Sequence, residues 1–148
     1  MKQMKTKILS LSILVGLSLT AMSCSTNTEQ ATTPDQNEQG VAIISKDVDV
    51  AEFKQLVNKG EGQILDVRTP EEWAEGTIKG ATKMNFFDSN FDAQLGQLDK
   101  TQPVYVYCKS GGRSGKATKK MKKMGFTTVY NLNGGIGAWT GAGNETVK

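Results

Sequence analysis

Val104-Tyr-Val-Tyr-Cys-Lys-Ser-Gly-Gly-Arg-Ser114 carries an apolar strand directly into a cysteine, then a glycine-rich loop, an arginine and the opening of a helix. The β-branched and aromatic run Val104–Tyr107 suits a buried strand. Gly111 and Gly112 let the backbone fold back so that successive N–H groups converge on one point, a nest for an anion. The helix that follows turns its unpaired amides and the positive end of its dipole to the same place. Lys109 and Arg113 add full charges. Each of these favours thiolate over thiol, so Cys108 is expected to be a nucleophile with a lowered pKa. The duller role for a free cysteine is a small core residue. A position at the C-terminal end of a strand, opening this loop, argues for the reactive one.

Outward from this stretch, helical and extended segments alternate. Val41–Ile44 reads as a short strand, and Asp49 as the cap of a helix with Glu52 in the capping-box position and Val50, Phe53, Leu56 and Val57 on one face. Gln63–Val67 is the next strand and leads to Thr69-Pro70-Glu71-Glu72, a helix start with Thr at the cap, Pro first and Glu closing the box. A further helix is expected over Phe91–Leu98. The helix after Cys108 ends at Gly125, with Ala117, Met121 and Met124 at helical spacing, and Thr128–Leu132 is the last strand. Strands separated by helices imply an α/β fold with a parallel sheet covered on both faces. Asp66 and Arg68 end a strand and read as an ion pair at the edge of the site, with Glu72 one turn into the next helix as a candidate partner. Trp73 and Trp139 read as core or pocket-wall residues. Lys116, Lys119, Lys120, Lys122 and Lys123 share one helix; such a run is usually a solvated face, and here it also raises the positive potential near Cys108.

Cys108-Lys-Ser-Gly-Gly-Arg113 resembles the active-site loop of rhodanese-type sulfurtransferases. Ile64-Leu-Asp-Val-Arg-Thr-Pro-Glu-Glu-Trp73, Gly76-Thr-Ile-Lys-Gly-Ala81 and Asn131-Leu-Asn-Gly-Gly-Ile-Gly-Ala-Trp139 are similar to the family's other signature segments and occur in the same order. The resemblance implies a rhodanese-like fold, a five-stranded, mainly parallel sheet with helices on both faces. It also implies sulfur transfer through a persulfide on Cys108, held by Lys109, Ser110, Gly111, Gly112, Arg113 and Ser114. The donor would be a small anion such as thiosulfate or a persulfide, and the acceptor a thiol or cyanide. Phosphatases that share this fold hold cysteine and arginine one residue further apart, around a tetrahedral phosphate. The shorter loop, with four residues between Cys108 and Arg113, suits a single sulfur. Phosphatase or arsenate reductase chemistry is therefore disfavoured, and the alternative of another class is a non-catalytic binding or redox-sensing module. Thr77 stands where the family commonly has histidine and Lys79 where it has proline. The chain contains no histidine, which weighs against hydrolysis and little against attack by a thiolate. No metal or organic cofactor is implied.

The 148 residues accommodate one ordinary domain with length to spare. Residues 1–23 read as a signal peptide, with Lys2, Lys5 and Lys7 before the apolar stretch Ile8–Leu19. Cys24, just past it, is placed like the acylation site of bacterial lipoproteins, although Ala21-Met22-Ser23 serves equally as an ordinary cleavage site. The formal charge of +3 equals those three leader lysines, so the remainder is balanced, and no basic stripe interleaved with aromatics suggests nucleic acid. Residues 24–40, rich in Ser, Thr, Asn, Gln and Glu, form a flexible tether spanning on the order of 20 Å. The resemblance implies that residues 41–148 form a rhodanese-like domain. An acylated Cys24 cannot pair with Cys108, so one free reactive thiol is expected. The expected protein is an exported monomer in the cell envelope, held to a membrane by its N-terminal lipid and facing the periplasm or the exterior.

Overall fold

The computed structural model describes residues 42–148; the expected signal peptide, the lipid site at Cys24 and the tether lie outside the described residues. Among the described residues five strands and five helices alternate: β1 (Ile44–Val48), α1 (Val50–Asn58), β2 (Gln63–Asp66), α2 (Pro70–Ala74), β3 (Thr82–Lys83), α3 (Phe91–Leu95), β4 (Val104–Tyr107), α4 (Gly112–Lys123), β5 (Thr128–Leu132) and α5 (Gly135–Gly141). The strands form one sheet in the order β1-β5-β4-β2-β3, and every neighbouring pair is parallel. This is the α/β architecture with a five-stranded parallel sheet expected from the sequence.

β4 lies at the centre of the sheet, and all four of its side chains are buried. Its alternation divides the core in two. Val104 and Val106 pack with Leu65, Val129, Phe91 and Leu95 of α3, and Ala117 and Met121 of α4. Tyr105 and Tyr107 point to the opposite face, where Phe53 of α1 and Ile136 and Trp139 of α5 cover them. A central parallel strand must bury both faces, which is why its sequence is continuously apolar. The Tyr107 hydroxyl is not stranded there, because it accepts the amide of Ile78 at 2.9 Å.

Several elements form as local chemistry dictates. Asp49 caps α1 by accepting the Glu52 amide at 2.8 Å, although the Glu52 carboxylate turns to Lys46 and leaves the box half made. Three differences stand out. The first strand covers Ile44–Val48 and not Val41–Ile44: it is an edge strand paired only with β5 and mostly exposed, so its polar Ser45, Lys46 and Asp47 need no apolar pattern. β3, only two residues long, is the fifth strand that the resemblance implies without placing it, and α5 was not placed either. Beyond α5 the chain turns back, and Val147 exchanges two backbone hydrogen bonds with Thr77, at 2.7 and 2.8 Å.

Candidate active site

Cys108 follows β4 immediately and is 1% exposed, so the strand sets its thiol at the C-terminal edge of the sheet beneath the loop. Gly111, at φ +98°, reverses the backbone and caps α4. That reversal brings its own amide to 3.1 Å from Cys108 Sγ. One turn into α4, the buried Ser114 hydroxyl lies 3.4 Å from the same sulfur and 3.1 Å from the Gly111 carbonyl. Burial pushes the Cys108 thiol up, but the Ser114 hydroxyl and the amides of Ser114, Ser110 and Gly111 outweigh it. The net displacement is below the ordinary 9.0. These donors, together with the Arg113 side chain, favour the ionised form of the sulfur.

The two arginines serve different carboxylates. Arg68 and Asp66, 2% and 0% exposed, form a bidentate pair with an Nη2–Oδ2 distance of 2.8 Å. Arg68 spends its remaining donors on the carbonyls of Glu72 and Gly76, at 2.9 and 2.6 Å, and so ties α2 to the segment beyond it. Glu72, a sequence candidate for the Arg68 pair, gives Arg68 only that carbonyl. Its carboxylate crosses to the loop and takes Arg113 at 2.6 and 2.7 Å, while also accepting the Thr69 amide at 3.0 Å. Arg113 beside it holds the Glu72 carboxyl down to about 2. The positive charge of Arg113 is thus matched within the site, and the backbone and Ser114 make the closest contacts with sulfur.

Gly134 and Gly135, quoted in the sequence without a role, turn out to support the loop. Both have positive φ, +74° and +59°, and they start α5 against the underside of Cys108. The amides of Ile136 and Gly137 donate to the carbonyls of Cys108 and Lys109, at 2.8 and 3.2 Å. A Cβ at Gly135 would meet the Cys108 carbonyl oxygen at 2.4 Å. The paired glycines were the available signal, and only the fold shows what they touch.

Two clefts flank the loop. One, of about 230 Å³, is lined by Arg68, Glu72, Glu75, Lys109, Ile136 and Thr146. The other, of about 500 Å³, lies along Ser110, Gly111 and Gly112 with Lys116, Lys119 and Asn131. Lys109 is exposed at the rim, and Thr77 spends its backbone on Val147 instead of facing a substrate. Trp139 is core, and Trp73 is half-buried on α2.

Residues 49–142 match the family described as rhodanese-like domain. The chain is 36% identical over 98 residues to YqhL of Bacillus subtilis, covering 66% of this chain and 75% of that protein. It is 33% identical over 94 residues to the thiosulfate sulfurtransferase GlpE of Shewanella oneidensis, covering 64% of this chain and 91% of GlpE. Among solved structures, a rhodanese-like domain protein from Staphylococcus aureus superposes with a TM-score of 0.59 at 30% identity, covering 70% of this chain and 98% of that one.

Proposed function

The chain belongs to the rhodanese-like family, and from that premise we propose that it transfers a sulfane sulfur through a persulfide on Cys108. The observation that carries this reading is the sulfur itself: a buried thiol, lowered in pKa by a hydroxyl and converging amides, on a loop braced from below by α5. The similarity to a thiosulfate sulfurtransferase supports the same chemistry.

The reaction runs in two displacements. The Cys108 thiolate attacks the outer sulfur of thiosulfate; the donor's S–S bond breaks and sulfite leaves with the electron pair. The new terminal sulfur carries the negative charge into the nest of amides. An acceptor thiolate or cyanide then attacks that sulfur, and Cys108 departs as the thiolate it was. No proton need be moved by a side chain in either step, which accords with a chain lacking histidine. Acylation of Cys24, resting on the sequence alone, would hold this chemistry at a membrane in the cell envelope.

Intact mass of the purified chain tests the reading. Thiosulfate is expected to add one sulfur, cyanide to remove it as thiocyanate, and Cys108→Ser to show neither change. Transfer retained by Cys108→Ser would sink the scheme. A folded, reduced wild type that gains no sulfur from thiosulfate or polysulfide would leave a binding module as the better reading.

A further inference from the structure

We propose that the exposed face of α4 docks the sulfur acceptor, and that this acceptor is a protein whose cysteine thiol is flanked by acidic residues. This rests on the sulfur-transfer reading and specifies its second half-reaction.

α4 carries six basic residues, Arg113 among them, and no acidic one. Its own pattern gives them no relief: Lys116 and Lys120, and Lys119 and Lys123, are like charges four apart, an arrangement that weakens a helix. Two of the six are neutralised within the fold, Arg113 by Glu72 and Lys120 by Asp92 at 2.7 Å. Lys116, Lys119 and Lys123 are exposed and make no ion pair among the described residues. Spaced three and four apart, they share one side of the helix, a row roughly 10 Å long. It begins one turn beyond the loop, and Lys116 and Lys119 line a cleft together with Ser110–Gly112 of the loop and Ser45, Lys46 and Asp47 of β1.

The extent of this row identifies the occupant. A small sulfur anion meets the amides and Ser114 at the loop and is too short to span a row of charge leading roughly 10 Å along the helix. A protein surface spans it. Across the mouth, Glu71 and Glu75 of α2 are exposed, and Glu75 lines the opposite cleft with Lys109 at its rim. A basic and an acidic margin on either side of one thiol select both a partner and its orientation. Phe87, 68% exposed with its ring centroid 5.8 Å from the Arg113 guanidinium carbon, adds an aromatic surface beside the loop. A flat anionic bilayer would match the lysines but not this arrangement around Cys108.

In the docked complex the acceptor thiolate attacks the outer sulfur of the persulfide. The new S–S bond forms on the acceptor, the Cys108 S–S bond breaks, and Cys108 keeps the electron pair.

The test uses the purified chain loaded with inorganic polysulfide and peptides with one cysteine flanked by aspartate and glutamate, or by glutamine. At low salt the acidic peptide is expected to take sulfur about 10-fold faster than the glutamine peptide, an advantage that shrinks as salt screens it. Lys116→Gln with Lys119→Gln and Lys123→Gln should abolish that preference, read as the ratio of the two peptide rates within each protein so that any common change in Cys108 reactivity cancels. Equal rates for the two peptides, or a preference surviving in the triple variant, would overturn the proposal. So would lysine-dependent sedimentation with phosphatidylglycerol vesicles in the absence of any peptide preference, which would assign the row to a membrane. Binding of fluorescent peptides with serine in place of cysteine is measured separately. If no persulfide forms, the transfer reading fails by itself, and lysine-dependent binding of the acidic serine peptide still decides whether the face docks an acidic partner.

Discussion

Ser114 stands where an activating base would be sought. Its single proton cannot serve both the Gly111 carbonyl and Cys108 Sγ, and an anionic sulfur is the stronger acceptor. The hydroxyl is therefore expected to bond to sulfur when sulfur is ionised. Thiolate is the form present above the pKa, so a lowered pKa keeps Cys108 reactive at pH values where an ordinary cysteine is protonated. Ser114→Ala removes a hydrogen bond to a charged group, worth about 1.5–3 kcal/mol, and is expected to raise the midpoint of the pH–alkylation profile by about one unit or more. Rates should converge with wild type at high pH, where both thiols are ionised. A uniform fall at every pH would instead mean that Ser114 only shapes the loop. The cysteine, its glycines and the serine were legible in the sequence because they are contiguous. The Glu72–Arg113 pair was not, because it joins residues 41 positions apart whose meeting depends on the sheet.

Elements were read well where their signals are local. The Pro70 start of α2, the Asp49 cap of α1 and the apolar run of β4 each follow from a few adjacent residues. β1 was misplaced because an edge strand is defined by backbone pairing with β5 and not by its side chains. α5 went unread because Gly134, Gly135, Gly137 and Gly141 give the segment the composition of a loop. Its glycines answer to the cysteine carbonyl, not to helix propensity. Gly135→Ala places a methyl against backbone and demands φ +59° of a residue with a side chain. The loop must move, and a displacement on the order of 1 Å can slow persulfide formation by about 100-fold. Stopped-flow loading, with circular dichroism to show the fold retained, checks this. Gly137→Ala, whose Cβ would lie 3.4 Å from the Lys109 carbonyl, is expected to be milder. Equal activity in wild type and Gly135→Ala would remove α5 from the account of the site.

At the scale of the molecule, the two apolar layers on either side of β4 make the sheet a rigid plate with its chemistry at one edge. Phe53 is the keystone of one layer, fully buried with edge-to-face contacts to Tyr105 and Trp139 at 6.1 and 6.2 Å. Phe53→Ala should cost about 3–5 kcal/mol of global stability, read as a lower urea midpoint with an unchanged slope. A loss below about 1 kcal/mol would show that α1 packs more loosely than its geometry states. The α/β class followed from alternation along the chain; the strand order could not be read from any residue pattern, since it is a property of crossings between elements. One of those returns has a practical meaning. Val147 is stitched to Thr77, and Thr146 lines the cleft beside Lys109. Whatever is fused after Lys148 therefore emerges near the cleft beside the Cys108 loop. A short linker there would give a tethered thiol a millimolar-scale effective concentration, so that covalent proximity could stand in for affinity when a weak acceptor is to be trapped in the act.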